Sequence, residues 1–375
     1  MALAHVLRGE AAAVAVLDVD TGLQLTTAQL ASAALALAAQ LQPHRTGWKR
    51  KNGNKKRERR EGGREGEREG GRERPSRVAS GPSSLSLSLS LSLSLSLSLS
   101  VLTHSAFSLS LSLSSLLSLI SLPPPTLFIF ICFVGSSAAV SRVLLLVDGS
   151  AALPVAWLGV LAAGMSVVPV APDAPGLRLA QVVQAAGTTV ALVAPWQLHL
   201  APKLSALGLA VLTVDVSSLA ADGSCCELQR DPDALERECH VIFTSGTTGQ
   251  PKGVVCTLAN LLAYADGKIA SHALRPASRV LLATAHTWDP AVGDLMSTLV
   301  AGATLCVASR ASVVHDLAQM LRKSEASHVF VTPSHWSLLA AKPQDLPQLR
   351  VITLGGERPP PARKSKTRET TWPIY

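Results

Sequence analysis

The stretch TSGTTGQPKG, Thr244–Gly253, decides the fold. Its ten residues include three glycines, three threonines, a serine, a proline and one lysine. Glycine reaches left-handed backbone conformations and lets the chain approach an anion closely. Successive backbone N–H groups then form an anion-binding concavity. The hydroxyls of Thr244, Ser245, Thr247 and Thr248 add donors, Gly246 and Gly249 give the turn its freedom, and Lys252 supplies a mobile positive charge. HVIF (240–243) before the loop reads as a strand, and TLANLLAYA (257–265) after it reads as a helix capped by Thr257. A strand, a Gly-rich loop and a helix in that order make a phosphate site. The loop is not G-x-x-x-x-G-K-[ST], because Pro251 precedes Lys252 and Gly253 follows it.

Outward from the loop, strands and helices alternate. Upstream, RVLLLVDGS (142–150) is a buried strand with a turn, and ALPVAWLGVLAAG (152–164) an apolar helix ended by Gly164. MSVVPV (165–170) is a strand, PDAPGLRLAQVVQAAG (172–187) a loop and helix, and TTVALVAP (188–195) a further strand. The pattern runs on to LRVITLGGE (349–357). Near the N-terminus, AAVAVLDVD (12–20) alternates like a strand, and TTAQLASAALALAAQL (26–41) has helical apolar spacing behind a threonine cap. This alternation predicts an α/β fold with mostly parallel sheets covered by helices on both faces.

The chain has 375 residues and a formal charge of +8. Residues 49–77 hold 13 basic and 6 acidic residues, so nearly all the excess lies in one segment. A nucleic-acid face would be spread over a folded surface, so no nucleic-acid partner is expected. Residues 46–134 differ from their surroundings. Charge and glycine (49–74) give way to a strict Leu-Ser alternation from Ser84, then to TLFIFICFV (126–134), which is too short to span a bilayer. At the nucleotide level a CT repeat translates as alternating Leu and Ser, and a GA repeat as alternating Glu and Arg. Residues 46–134 therefore read as a translated intron, disordered as protein. The N-terminus lacks a basic start and an uninterrupted apolar core, so no signal peptide and no membrane partner are expected, with the cytoplasm as the default location. The six cysteines form no C-x-x-C pair and read as reduced thiols, and no metal ligands are assigned.

TSGTTGQPKG resembles the signature loop of the adenylate-forming superfamily, which includes acyl-CoA synthetases, luciferases and the adenylation domains of nonribosomal peptide synthetases. Other segments follow in the family's order. Pro172, Pro175 and Arg178 match an upstream segment, with Ala171 where Asp is usual. AHTWDPAVGDLMSTLVAGATL (285–305) resembles the Phe-Asp segment, with Trp288 for Phe and Ala291 for Ser. LRVITLGGE resembles the strand and Gly-Gly-Glu turn against which adenine packs. The resemblance places the start of an AMP-binding domain in residues 1–45 and most of its remainder in 135–357, with 358–375 as a tail outside it. It implies the N-terminal large domain of the adenylate-forming fold, incomplete and carrying the 46–134 insertion.

By that resemblance a substrate carboxylate attacks the α-phosphate of ATP, pyrophosphate leaves and an acyl-adenylate remains. Thr244, Ser245, Gly246, Thr247, Thr248, Gly249 and Lys252 would hold the phosphates, and Gly355, Gly356 and Glu357 the adenine. Asp289 would pair with an α-ammonium, since a buried cation requires an anionic partner. The other reading of Asp289 is a cap for the helix that Pro290 begins. Pro290, Gly293, Val331, Ile352 and Leu354 would line the side-chain pocket, all small or apolar. The thiol acceptor would be a phosphopantetheine carrier or coenzyme A, with Mg²⁺ in the full-length enzyme. The family's later Thr-Glu segment, ribose aspartate and catalytic lysine are not in these 375 residues, so the chain alone is expected to be inactive. Two alternatives stay open: an acyl-CoA synthetase for a plain carboxylic acid, and a truncated, non-catalytic nucleotide-binding protein. His286 reads as structural, because a base needs an oriented partner. His335 and Trp336 read as core or rim.

Overall fold

Helix boundaries follow local chemistry closely. In a computed structural model, which describes residues 14–45, 141–221, 233–244, 250–339 and 341–358, the first helix begins where Thr26 can cap it. The Thr26 hydroxyl accepts from the Gln29 amide at 3.2 Å, and the Gln29 side chain accepts from the Thr26 amide at 2.9 Å. This reciprocal box satisfies two amides that would otherwise lack partners. Gly187 ends another helix in the left-handed conformation at φ +65°. The segment read as an intron (46–134) and loop residues 245–249 lie outside the described residues, as does all of the tail after Arg358.

The first half runs β1 (Val14–Asp18), β2 (Gln24–Thr26), α1 (Thr27–Leu41), β3 (Arg142–Leu145), α2 (Ala152–Ala162), β4 (Ser166–Pro169), α3 (Gly176–Ala186), β5 (Val190–Val193), α4 (Ala201–Ala206), β6 (Ala210–Thr213) and α5 (Val216–Ala221). The second runs β7 (Glu238–Thr244), β8 (Lys252–Thr257), α6 (Leu258–His272), β9 (Arg279–Leu281), α7 (Asp289–Val300), β10 (Thr304–Val307), α8 (Arg310–His315), α9 (Leu317–Ser324), β11 (His328–Val331), α10 (Pro333–Ser337) and β12 (Val351–Leu354).

The strands form two six-stranded sheets, ordered β12-β11-β9-β10-β1-β2 and β6-β5-β3-β4-β7-β8. All neighbours are parallel except β1/β2 and β7/β8. The α/β reading with mostly parallel sheets and flanking helices is thus what the fold shows. Residues before and after 46–140 share one architecture: β1 pairs with β10, Val16 opposite Leu305.

The largest apolar cluster joins Val16 and Leu305 of one sheet to Val143 and Leu145 of the other. Helix α2, apolar all round, lies entirely inside it, as such a helix must. Its Gly159 lets α1 pack closely, since a Cβ there would lie 2.8 Å from Leu37 Cδ2 and 3.0 Å from the Ala34 carbonyl. Across the second sheet, Arg142 donates to both carboxylate oxygens of Glu238 at 2.6 and 2.7 Å. This bidentate pair locks β3 to the start of β7.

Candidate functional site

The strand read from HVIF is β7, but the element that follows the loop is a strand, not the expected helix. β7 and β8 form an antiparallel hairpin that closes with Thr244 opposite Lys252. The reason lies in KGVVCT, whose β-branched residues favour the extended backbone until Thr257 can cap α6. That cap forms as expected: the Thr257 hydroxyl accepts from the Asn260 amide at 3.2 Å. The helix therefore starts a full strand later than a strand–loop–helix phosphate site requires.

The hairpin end is held from three directions. The Thr244 hydroxyl donates to the Lys252 carbonyl at 3.4 Å. Arg178, on α3, donates to the carbonyls of Phe243 and Thr244, both at 3.4 Å. Gly253 leaves room for β7 side chains, because a Cβ there would lie 2.8 Å from Val241 Cγ1 and 3.1 Å from the Phe243 ring. Lys252 itself is exposed. Ser245, Gly246, Thr247, Thr248 and Gly249 fall outside the described residues.

The Gly-Gly-Glu turn follows β12. A Cβ on Gly355 would lie 2.7 Å from the tip of the Phe330 ring, so only glycine leaves that ring its place. Gly356 has φ +86°, a conformation that favours glycine, and the position of its absent Cβ is 3.6 Å from the Trp288 ring and 3.7 Å from Thr332. The Glu357 carboxylate accepts from the Ser334 amide at 3.0 Å and from the Ser334 hydroxyl. These bonds favour the charged form and hold its pKa below the usual carboxylate range.

Trp288 links this turn to α7. It is the residue before the helix, so Asp289 is the first helical residue and Pro290 the second. Asp289 therefore does not cap. Its exposed carboxylate sits at the positive end of the helix dipole, with no hydrogen-bond partner among the described residues. It is close enough to Cys256 and Tyr264 to help raise the pKa of both, second to burial at the thiol and behind burial and Asp294 at the phenol. Gly293 lies one turn further, with the Tyr264 ring directly upon it. Val331 and Leu354 are opposite each other across β11 and β12. Val331 and Ile352 are buried in the apolar cluster behind the first sheet; Leu354 and Pro290 are half-buried.

Behind these residues is a charge pair that sequence reasoning missed. Lys268 Nζ is 2.6 Å from Asp294 Oδ1, with both side chains at most 5% exposed. The second Asp294 oxygen has no hydrogen-bond partner among the described residues. Burial pushes the Asp294 carboxyl up, opposed by Lys268. The ammonium also lies 5.4 Å from the centre of the Phe330 ring and 6.0 Å from that of Tyr264, within cation–π reach. The spacing Tyr264–Lys268, one turn on α6, was the available signal, but nothing local says which helix it faces.

His286 is structural, as its sequence context suggests. Its Nε2 lies 3.2 Å from the Val170 carbonyl, and burial lowers its pKa to about 4. His335 lies on α10, its amide bonded to Thr332 Oγ1 at 3.3 Å. Cys239 and Cys306 are buried free thiols; burial pushes Cys306 up to about 12. Among the described residues, no group of three or more His, Cys, Asp or Glu could hold a metal ion, and no helix is long and apolar enough to cross a membrane.

A family model described as AMP-binding enzyme matches residues 138–375. The nonribosomal peptide synthetase atnA of Emericella nidulans is 32% identical over 210 residues, 55% of this chain and 3% of that protein. Phosphinothricin tripeptide synthetase PhsC of Streptomyces viridochromogenes is 34% identical over 218 residues, 56% of this chain and 19% of that protein. Among solved structures, the nonribosomal peptide synthetase FmoA3 in its α-methyl-L-serine-AMP-bound form has a TM-score of 0.59 at 19% identity, over 96% of this chain and 30% of that one. Its AMPPNP-bound form gives 0.59 at 18% identity, over 96% of this chain and 28% of that one. The structural likeness is one of fold, and the chain spans a small part of the length of these relatives.

Proposed function

This chain belongs to the AMP-binding enzyme family, and on that premise we propose that its site serves to activate an amino acid as the aminoacyl-adenylate. A carboxylate oxygen attacks the α-phosphorus of ATP, the bond to the bridging oxygen breaks, and pyrophosphate leaves. Lys252 and the hydroxyls and amides of Thr244–Gly249 would neutralise the phosphates. Gly355, Gly356 and Glu357 would form the adenine wall, and Asp289 would take the α-ammonium. Pro290, Gly293, Val331, Ile352 and Leu354 belong to the proposed pocket wall, the buried members acting through the residues in front of them. Transfer to a carrier-bound or coenzyme A thiol is part of the same proposal. Mg²⁺ would neutralise phosphate charge when bound, and no step here depends on one.

One juxtaposition carries the reading. Trp288 packs on Gly356, and Asp289 follows Trp288 in the chain. An aminoacyl-adenylate joins an ammonium and an adenine in one molecule, so their two anchors must be neighbours. Here residues 67 positions apart in sequence meet through one tryptophan. FmoA3 bound to α-methyl-L-serine-AMP and to AMPPNP supports the ligand class by analogy of fold.

The test uses the 375-residue chain and non-hydrolysable acyl-sulfamoyl adenosines, with and without the α-amino group. We expect the amino form to bind at least about tenfold more tightly, and Asp289→Ala to remove that margin while sparing the des-amino form. Equal binding of the two forms would favour a plain-acid synthetase. Binding of neither would leave the non-catalytic reading.

A further inference from the structure

Two helices meet where the proposed amino acid would end. Asp289 and Gly293 are four residues apart on α7, so they share a face about 6 Å apart along the axis. α6 packs against α7 and brings Tyr264 onto that face. A Cβ built on Gly293 would lie 2.4 Å from Tyr264 Cε1, 2.7 Å from Cζ and 2.8 Å from Oη. No side chain could occupy that space, so the phenol fills what Gly293 leaves empty. The ring is 45% exposed, so part of it faces open space rather than the core.

Its position is fixed from behind. Lys268 lies one turn beyond Tyr264 on α6, and its ammonium is paired with Asp294, the residue after Gly293. The buried pair ties the two helices together at the level of the ring. Phe330, 5.4 Å from the same ammonium, is the residue before Val331 and packs on Gly355.

We infer that Tyr264 is a specificity-determining residue: its ring forms the end wall of the side-chain pocket and restricts the substrate to small amino acids. The inference rests on the amino-acid reading of the site given above. The ring already fills the position that a Cβ on Gly293 would take, one turn from Asp289 on the same face. A substrate anchored at Asp289 therefore meets the ring with hydrogen, methyl or hydroxymethyl on its Cα before any branched or aromatic side chain could extend past it.

The experiment measures binding of glycyl-, alanyl-, leucyl- and phenylalanyl-sulfamoyl adenosine to the 375-residue chain by calorimetry. In the unmodified chain the alanyl compound should bind at least about tenfold more tightly than the phenylalanyl one. Tyr264→Ala should raise phenylalanyl affinity about tenfold while leaving alanyl affinity within about threefold. Tyr264→Phe keeps the ring and should keep the order of affinities. Phenylalanyl binding equal to alanyl in the unmodified chain overturns the inference, whether or not the variants fold. An unchanged ratio in a folded Tyr264→Ala chain, judged by its circular dichroism, overturns it too. If no aminoacyl compound binds the unmodified chain, the amino-acid reading falls and takes this inference with it. A wrong order of affinities sinks the inference alone.

Discussion

At the Gly-Gly-Glu turn, Phe330 sits on Gly355, Trp288 faces Gly356 and Ser334 holds the Glu357 carboxylate, with a buried Lys268–Asp294 pair behind them. At the end of the β7–β8 hairpin, Lys252, Gly253, Val254 and Val255 are all exposed, and the closing bond from Thr244 to Lys252 is a long 3.4 Å. Both regions are assigned to one nucleotide, yet one is interlocked through side chains and the other is held at its base. The difference follows from what each would meet. A flat adenine needs a preformed wall. Phosphates need counter-charge, and Lys252 is the exposed cation at the hairpin end.

The largest test of this contrast is to break the interlocked side. Lys268→Ala leaves the Asp294 carboxylate buried without its cation. We expect a loss of about 3–5 kcal/mol in urea unfolding. Lys268→Met with Asp294→Leu removes both charges and should recover most of that loss. A single variant as stable as the parent would show that the pair does not hold α6 on α7.

How much of this was legible beforehand depends on how local the cause is. The Thr26 and Thr257 caps and the Gly164 helix end were readable because partners lie within three or four residues. The parallel sheets followed from the alternation of elements. β8 was not foreseen, since its extended form is settled by pairing with β7 as well as by its own valines. Tyr264 on Gly293 and Ser334 on Glu357 were not foreseen either: they join residues 29 and 23 positions apart, and no local pattern encodes those meetings. Asp289 and the two glycines were picked out by resemblance, but their mutual placement through Trp288 needed the fold.

Acid is a test that should reach both regions. His240 on β7 and His286 before α7 are buried, and burial lowers each to about 4 from an ordinary 6.5. His272, in the cavity with Asp294 and Thr353, is also lowered to about 4, by burial first and then by Lys268 and His328. The unfolded chain takes up these protons below pH 6.5, whereas the folded chain resists until about 4. The stability they confer is therefore complete above pH 6.5 and is lost as pH falls towards 4. The loss should be on the order of 2 kcal/mol for each fully buried ring between pH 6.5 and 5. Urea midpoints measured across that range check it. A flat profile would mean that the histidines are not buried as described, and would remove one property the two regions share.

The smallest expected effect on stability is the most discriminating one for function. Lys252→Ala removes an exposed side chain from the hairpin end, so unfolding should shift by no more than about 0.5 kcal/mol. If the hairpin end is a phosphate grip, the same change should weaken ATP about tenfold while leaving adenosine binding unaltered, since adenosine carries no phosphate to lose a partner. Gly355→Ala should do the reverse, displacing the Phe330 ring and weakening both ligands alike. Should Lys252→Ala weaken adenosine and ATP equally, the division into a packed base wall and an exposed hairpin end for phosphate would fail, and the hairpin would have to be read as part of the wall.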